Sequence, residues 1–223
     1  MSLFDEVLAA HGGREAWESA TEVTARLRSS GLALTMKRAG EPFRQYEARV
    51  TVGPPRTVIS PYPGGVGVYE RDSVWIESEA GTVIERRDQM RRRFPGLRRR
   101  LWWDPLDALY FAGYALWNYF NTPLLLTRCE AEERSRSLHV RFPPDVPSHA
   151  RTGTFHFDER GLLERLNYTA EVFGKWARAN HVCREHRTFE GLVFPTVRRV
   201  TLRGLPGPVL IAIDVDDVSV SRR

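Results

Sequence analysis

The sequence predicts a mainly β fold of the α+β class: a single large curved antiparallel sheet, an open half-barrel, with helices plugging its concave side. Three observations predict it. From Thr21 onward, apolar and β-branched residues recur with period two through about twelve segments. Gly, Pro, Asp and Ser separate those segments by short loops. Helical periodicity is confined to the beginning of the chain and to one insertion at about 88–120. So many strands do not stay flat, so the sheet curls, and its hollow side needs filling.

The first element is a short helix over Leu3 to Ala10. Ser2 is its cap, Asp5 and Glu6 occupy its first turn, and Gly12 ends it in the left-handed region. "REAWESA" supplies one or two further turns. Strands follow in "TEVTARLRSSG", "FRQYEARVTVG", "RTVIS", "VGVYERD", "SVWIES" and "GTVIERR". In the second of these, Phe43, Gln45, Glu47 and Arg49 alternate with Arg44, Tyr46, Ala48 and Val50, as on a sheet with one wet face.

Helical period returns at Asp88 to Arg93 and again from Asp104. There Asp104 is the cap, Pro105 holds the first helical position, and Asp107 lies three residues past the cap. Asn121 and Pro123 end this helix at about Tyr119. Six strands then resume, in "SLHVRF", "TGTFHFD", "GLLERLNYTAEV", "RANHVCREHRTF", "VFPTVRRVTLRG" and "VLIAIDVDDVSV". "DERG" forms a hairpin turn with Gly161 at positive φ.

The 223 residues are 42% hydrophobic and 27% charged, ordinary for a globular protein. With no composition break, linker or repeat, residues 1–223 read as a single domain. "MSLFDEVLAAHGG" is not a signal peptide, because Asp5 and Glu6 interrupt the apolar run and no basic stretch precedes it. Cys129 and Cys183 give no disulfide framework. Both features point to the cytoplasm.

The net charge of +5 is concentrated in "RRDQMRRRFPGLRRR". Arg91, Arg92, Arg93, Arg98, Arg99 and Arg100 are candidates for peripheral contact with an anionic membrane or an acidic partner. Zinc-finger spacing, RNP-like aromatics and a helix-turn-helix are all missing, so specific nucleic-acid binding is not expected.

"LYFAGYALWNYFNTPLLL", from Leu109 to Leu126, carries the functional question. Eight aromatics, a third of the chain's total, fall between Trp102 and Phe120. A membrane span is excluded by Asp107, Asn118, Asn121 and Pro123. Leu106, Leu109, Tyr110, Gly113, Leu116, Trp117 and Phe120 form one buried stripe. The polar tips of Tyr and Trp need partners when buried, which points to a cavity with aromatic walls and a few polar groups. Its expected ligand-binding residues are Trp102, Trp103, Tyr110, Tyr114, Trp117, Asn118, Tyr119 and Tyr168.

The helix ending in "HGG", the following "REAW" and a run of antiparallel strands with a helical insertion resemble the LolA/LppX-like superfamily of bacterial lipoprotein carriers. "YFAGYALWNYFNTPLLL", "GTFHFDERGLLERLNY" and "EGLVFPTVRRV" resemble an uncharacterised bacterial branch assigned that shape. The resemblance implies an open half-barrel whose helices plug the concave side around an apolar cavity. In the carriers that cavity holds acyl chains. This chain departs from them in lacking a signal peptide or lipobox, so a changed cargo is expected.

No constellation for covalent or metal chemistry stands out. Alternation puts His181, Cys183, Glu185 and Arg187 on one face of their strand, but no second cluster completes a zinc site. Cys183 lacks the setting of an activated thiol. His156 alternates with Phe155 and Phe157, and the Phe pair is the inward one. Tyr168, in register with Leu166 and Ala170, points inward. If the protein is an enzyme, Tyr114, Asn118, Tyr168 and His181 are its catalytic candidates, in a cofactor-independent cyclase or isomerase of secondary metabolism. A template holding reacting carbons together supplies about 7–11 kcal/mol in favourable cases, and one aimed donor about 3 kcal/mol more. The expected function is therefore binding of an acyl, polyketide or terpenoid-like molecule, as carrier or as template. The remaining alternative is a docking protein that uses its basic segment.

Overall fold

The computed structural model describes residues 2–94, 97–174 and 176–223, the side chains of Leu97 and Arg100 excepted. The chain begins with helices α1 (Leu3–Ala10) and α2 (Arg14–Ser19), followed by strand β1 (Ala20–Ser30) and a short helix α3 (Leu32–Met36). Strands β2 (Tyr46–Thr51), β3 (Arg56–Tyr62), β4 (Gly65–Glu70), β5 (Ser73–Glu77) and β6 (Val83–Arg87) come next. Helices α4 (Met90–Arg93), α5 (Leu97–Leu101) and α6 (Pro105–Asn121) make up the insertion. The rest is strand: β7 (Glu130–Arg134), β8 (Ser137–Arg141), β9 (Thr152–Phe157), β10 (Leu163–Thr169), β11 (Arg178–Phe189), β12 (Leu192–Leu202) and β13 (Ile211–Arg222).

All thirteen strands belong to one antiparallel sheet in the order β6-β5-β4-β3-β2-β1-β13-β12-β11-β10-β9-β8-β7. It is two meanders joined back to back where β1 pairs with β13, and it stays open between β6 and β7. The connection from β6 to β7 therefore runs from one edge of the sheet to the other. That connection is the helical insertion, so α6 is carried across the concave side by topology alone. It packs on β2, β3, β4 and β5.

Local chemistry explains each piece. Ser2 and Asp5 form a reciprocal capping box on α1, and Gly12 leaves the helix at φ 115°. Asp104 and Asp107 form the same box on α6, with Pro105 at the first position. In β1, Val23, Ala25 and Leu27 are buried, as are Tyr46, Ala48 and Val50 in β2. β13 buries Ile211, Ile213, Val215 and then Val218, one position late. The slip is a bulge, because the register moves from Leu27↔Val215 to Arg26↔Asp217. It turns both Asp216 and Asp217 outward, to Arg28 at 2.8 Å and Arg26 at 2.7 Å.

Three features depart from the sequence reading. β7 was not anticipated: every residue of "EAEER" is exposed, so it carries no period. Like β6, which is charged and almost fully exposed, it blunts an edge of the open sheet against pairing with another chain. α3 was not anticipated either. The second strand begins at Tyr46, because Glu41–Phe43 forms a 3-10 turn that buries Phe43. Among the described residues, no helix is long and apolar enough to cross a membrane.

Candidate functional site: an aromatic chamber beside α6

α6 carries two apolar faces. One faces β2–β5 and is packed solid: Leu106, Leu109, Leu116, Trp117 and Phe120 are each at most 4% exposed. Gly113 is what allows this approach. A Cβ built on it would lie 2.5 Å from Tyr69 Cγ and closer still to Tyr69 Cβ. Its carbonyl also accepts a hydrogen bond from Thr57 Oγ1 at 2.9 Å.

The other face carries Phe111, Ala115, Asn118 and Thr122, at helical spacing, flanked by Tyr114 and Tyr119. It looks onto a chamber of about 600 Å³. Opposite stand the inward residues of the second meander, among them Phe155, Leu166, Tyr168, Ala179 and Val200. Two loops close the sides, with Phe142 and His149 on one and Phe173 on the other. At the mouth, Met36 and Trp176 are each 67% exposed. The volume and the mostly apolar lining are those of a small-molecule site, for which about 300–1,000 Å³ is usual.

Four of the eight expected ligand-binding residues line this chamber: Tyr114, Asn118, Tyr119 and Tyr168. The other four do not. Trp102 is on the surface under the Arg98 guanidinium, 4.5 Å from its ring centroid. Trp103 is buried one layer back, its ring 4.8 Å from Phe111 and 5.6 Å from Phe173. Tyr110 packs on Tyr69 and Phe94, and Trp117 lies in the core under β2–β5. The polar tips of Trp103 and Tyr110 find their partners within the protein. Trp103 donates to Arg99 O at 3.0 Å and Tyr110 hydrogen-bonds His149 Nε2 at 2.8 Å. The buried Trp117 indole N–H has no partner among the described residues, which costs about 1–3 kcal/mol.

The chamber walls are neutral in the main. Burial pushes the Tyr114 and Tyr168 hydroxyls well above their ordinary range, and Tyr119 up as well. His149 is pushed down to about 4, first by burial and then by Arg91. Asn118 is held by Tyr114 O at 2.7 Å and Pro147 O at 2.6 Å, which ties α6 to the flanking loop. Lys37 lines the chamber near its mouth. It donates to Arg99 O at 2.9 Å, and burial lowers its pKa.

His181, a catalytic candidate from the sequence, is 0% exposed and stands behind the wall. Its ring lies edge-on to Tyr119 at 4.9 Å, and neither ring nitrogen has a partner among the described residues. Burial holds it neutral, its pKa well below the ordinary value. His156 is half-buried on the opposite face of the sheet, while Phe155 and Phe157 face inward. Among the described residues, no three His, Cys, Asp or Glu side chains converge as metal ligands.

The arginine run divides. Arg91, Arg92 and Arg93 are exposed. Arg98 and Arg99 turn inward and join Arg87 around Asp107, which is fully buried. Their distances to its carboxylate are 3.0 Å (Arg87), 2.7 Å (Arg98) and 2.6 Å (Arg99). Burial alone would raise the neighbouring Asp104, but the Asp107 N–H, Arg87 and Arg98 outweigh it and hold that carboxyl below its usual range. The side chain of Arg100 lies outside the described residues.

No family model and no curated protein matches the chain. Among solved structures, the backbone course is similar to that of a LolA superfamily protein from Nitrosomonas europaea. That likeness has 10% identity over 100% of this chain and 96% of the other, with a TM-score of 0.48. It is also similar to a DUF1329 family protein from Desulfovibrio piger, at 10% identity over 98% and 91% of the two chains, with a TM-score of 0.41.

Proposed function

We propose that this protein binds an apolar small molecule of acyl, polyketide or terpenoid character in the chamber beside α6, and carries it. The observation that supports this best is the unfilled space of about 600 Å³ between α6 and the second meander, against the solid packing on the helix's other face. The exposed Met36 and Trp176 give an apolar guest a greasy path in and out. Arg91, Arg92 and Arg93 offer a contact for an anionic donor membrane, and Arg91 already braces Pro144 O on the flanking loop at 2.9 Å. The free thiols Cys129 and Cys183 suit a reducing compartment such as the cytoplasm.

Carriage is favoured over conversion because the polar groups offer little chemistry. The Asn118 amide is engaged by two carbonyls, and the Tyr114 and Tyr168 hydroxyls hold their protons. A cofactor-independent cyclase or isomerase would use the same walls as a template. Native mass spectrometry of protein purified from its own source tests both readings. A co-purifying apolar mass recovered unchanged after incubation supports carriage, and conversion to an isomer supports the template enzyme. Repeated absence of any such mass, with no uptake of hydrophobic fluorescent probes, would contradict binding altogether.

A further inference from the structure

The closed end of the chamber is polar underneath. Along β12 the inward residues Leu202 and Val200 line the chamber, and the next inward residue is Arg198, 5% exposed. On β11, Ala179 lines it, and His181 and then Cys183 follow behind. Arg198 forms no ion pair among the described residues. Its contacts are the Cys183 thiol at 3.4 Å, the Tyr119 carbonyl at 3.5 Å and the face of the Tyr119 ring at 4.7 Å. A buried guanidinium without a carboxylate is a costly arrangement, and the thiol beside it is kept protonated by burial. His181, with both ring nitrogens unpartnered, stands next to it. Tyr119 and Tyr168 line the chamber in front of this layer, their rings 4.9 Å and 6.5 Å from the His181 ring.

The geometry points to an anionic head on the guest: a carboxylate held at the inner end of the chamber by the Tyr119 and Tyr168 hydroxyls, with Arg198 behind the Tyr119 ring supplying the compensating charge. The inference rests on the binding reading above and narrows it to apolar acids. The anion completes an electrostatic arrangement that the empty protein leaves one-sided. Arg198, inside the "TVRRV" of β12, is a specificity determinant in this account.

The test compares palmitate with hexadecanol by calorimetry at fixed ionic strength. The wild type should prefer the acid by about tenfold or more, the range of one hydrogen-bonded charge. Arg198→Met should lose most of that preference, keeping only what the two tyrosine hydroxyls supply, and Arg198→Lys should retain more of it. The Met variant removes an uncompensated buried charge, so its empty form should melt no lower than the wild type. The wild-type comparison stands even if a variant misfolds. Equal binding of acid and alcohol by the wild type would overturn the anionic head while leaving the chamber intact. A preference that survives in Arg198→Met but vanishes in Lys37→Met would overturn it too, by placing the head at the mouth. Failure of both probes to bind would overturn the chamber reading itself.

Discussion

The two halves of the concave side are built alike and filled differently. Each is an antiparallel meander with mainly apolar residues, aliphatic and aromatic, facing inward. Over β2–β5 the helix lies flush, with Gly113 against Tyr69 and Trp117 sealed beneath. Over β9–β13 the same helix stands off, and Phe111, Ala115 and Asn118 face open space. The difference comes from the helix's anchoring. Arg87 at the β6 edge grips Asp107 at the first turn of α6, and Asn121 at its last turn accepts from Gly53 N at 3.0 Å and donates to Thr51 O at 3.2 Å. Both anchors lie on the filled half. A helix pinned at both ends to one side leaves the other side hollow.

That contrast can be broken at the anchor. Asp107→Asn would leave Arg87, Arg98 and Arg99 crowded around a neutral amide, and loss of one partner from a buried ion cluster typically costs about 3–5 kcal/mol. Urea unfolding should show a loss of that order. A change below about 1 kcal/mol, the scale of a surface pair, would mean that the cluster does not hold the helix.

Acid should act on the hollow half. The neutral His149 ring, hydrogen-bonded to Tyr110, has its folded pKa pushed down to about 4, so the unfolded chain takes the proton first. The stability it protects is complete above the ordinary imidazole value of about 6.5 and is lost as pH falls through the window to about 4. His149 alone accounts for about 3 kcal/mol across that window, and His186, also pushed down to about 4, acts in the same direction. His149→Gln should flatten part of the decline in melting temperature between pH 7 and pH 4.5. An unchanged profile would contradict the burial of that ring. Asp104, its carboxyl held below the usual range, stabilises the fold above the ordinary carboxylate value, and that contribution is lost only as pH falls below it.

A methyl on the filled face sharpens the comparison. Gly113→Ala gains about 1 kcal/mol of helix propensity, but the new Cβ overlaps the backbone-anchored end of Tyr69, and such overpacking costs about 1–3 kcal/mol. A net loss of stability is expected. A net gain would mean that the helix rides loosely on both halves.

Much of this was legible in the sequence, for reasons that can be named. Alternation in "YEARV" separated the inward Tyr46, Ala48 and Val50 from Glu47 and Arg49, and Asp104-Pro105-Leu106-Asp107 marked the start of α6. β7 was not legible because "EAEER" has no dry face to impose a period. The assignment of the helix's two faces was not legible either. Trp117 and Tyr114 are both apolar residues at helical spacing, and periodicity does not tell a face that meets a sheet from one that meets a void. Arg198 was hidden by its own charge: in an alternating strand an arginine reads as a wet residue, yet this one sits on the dry side between Thr196 and Val200. Loop residues such as His149 carried no periodic signal at all.

The most direct test is to fill the hollow half from the helix itself. Ala115→Phe places a ring in the chamber two residues from Gly113, and with room to receive it the stability should change by less than about 1.5 kcal/mol. Uptake of a hydrophobic fluorescent probe should fall at least tenfold relative to the wild type. An Ala115→Phe protein that is severely destabilised, or one that still takes up the probe as the wild type does, would contradict a guest chamber beside α6.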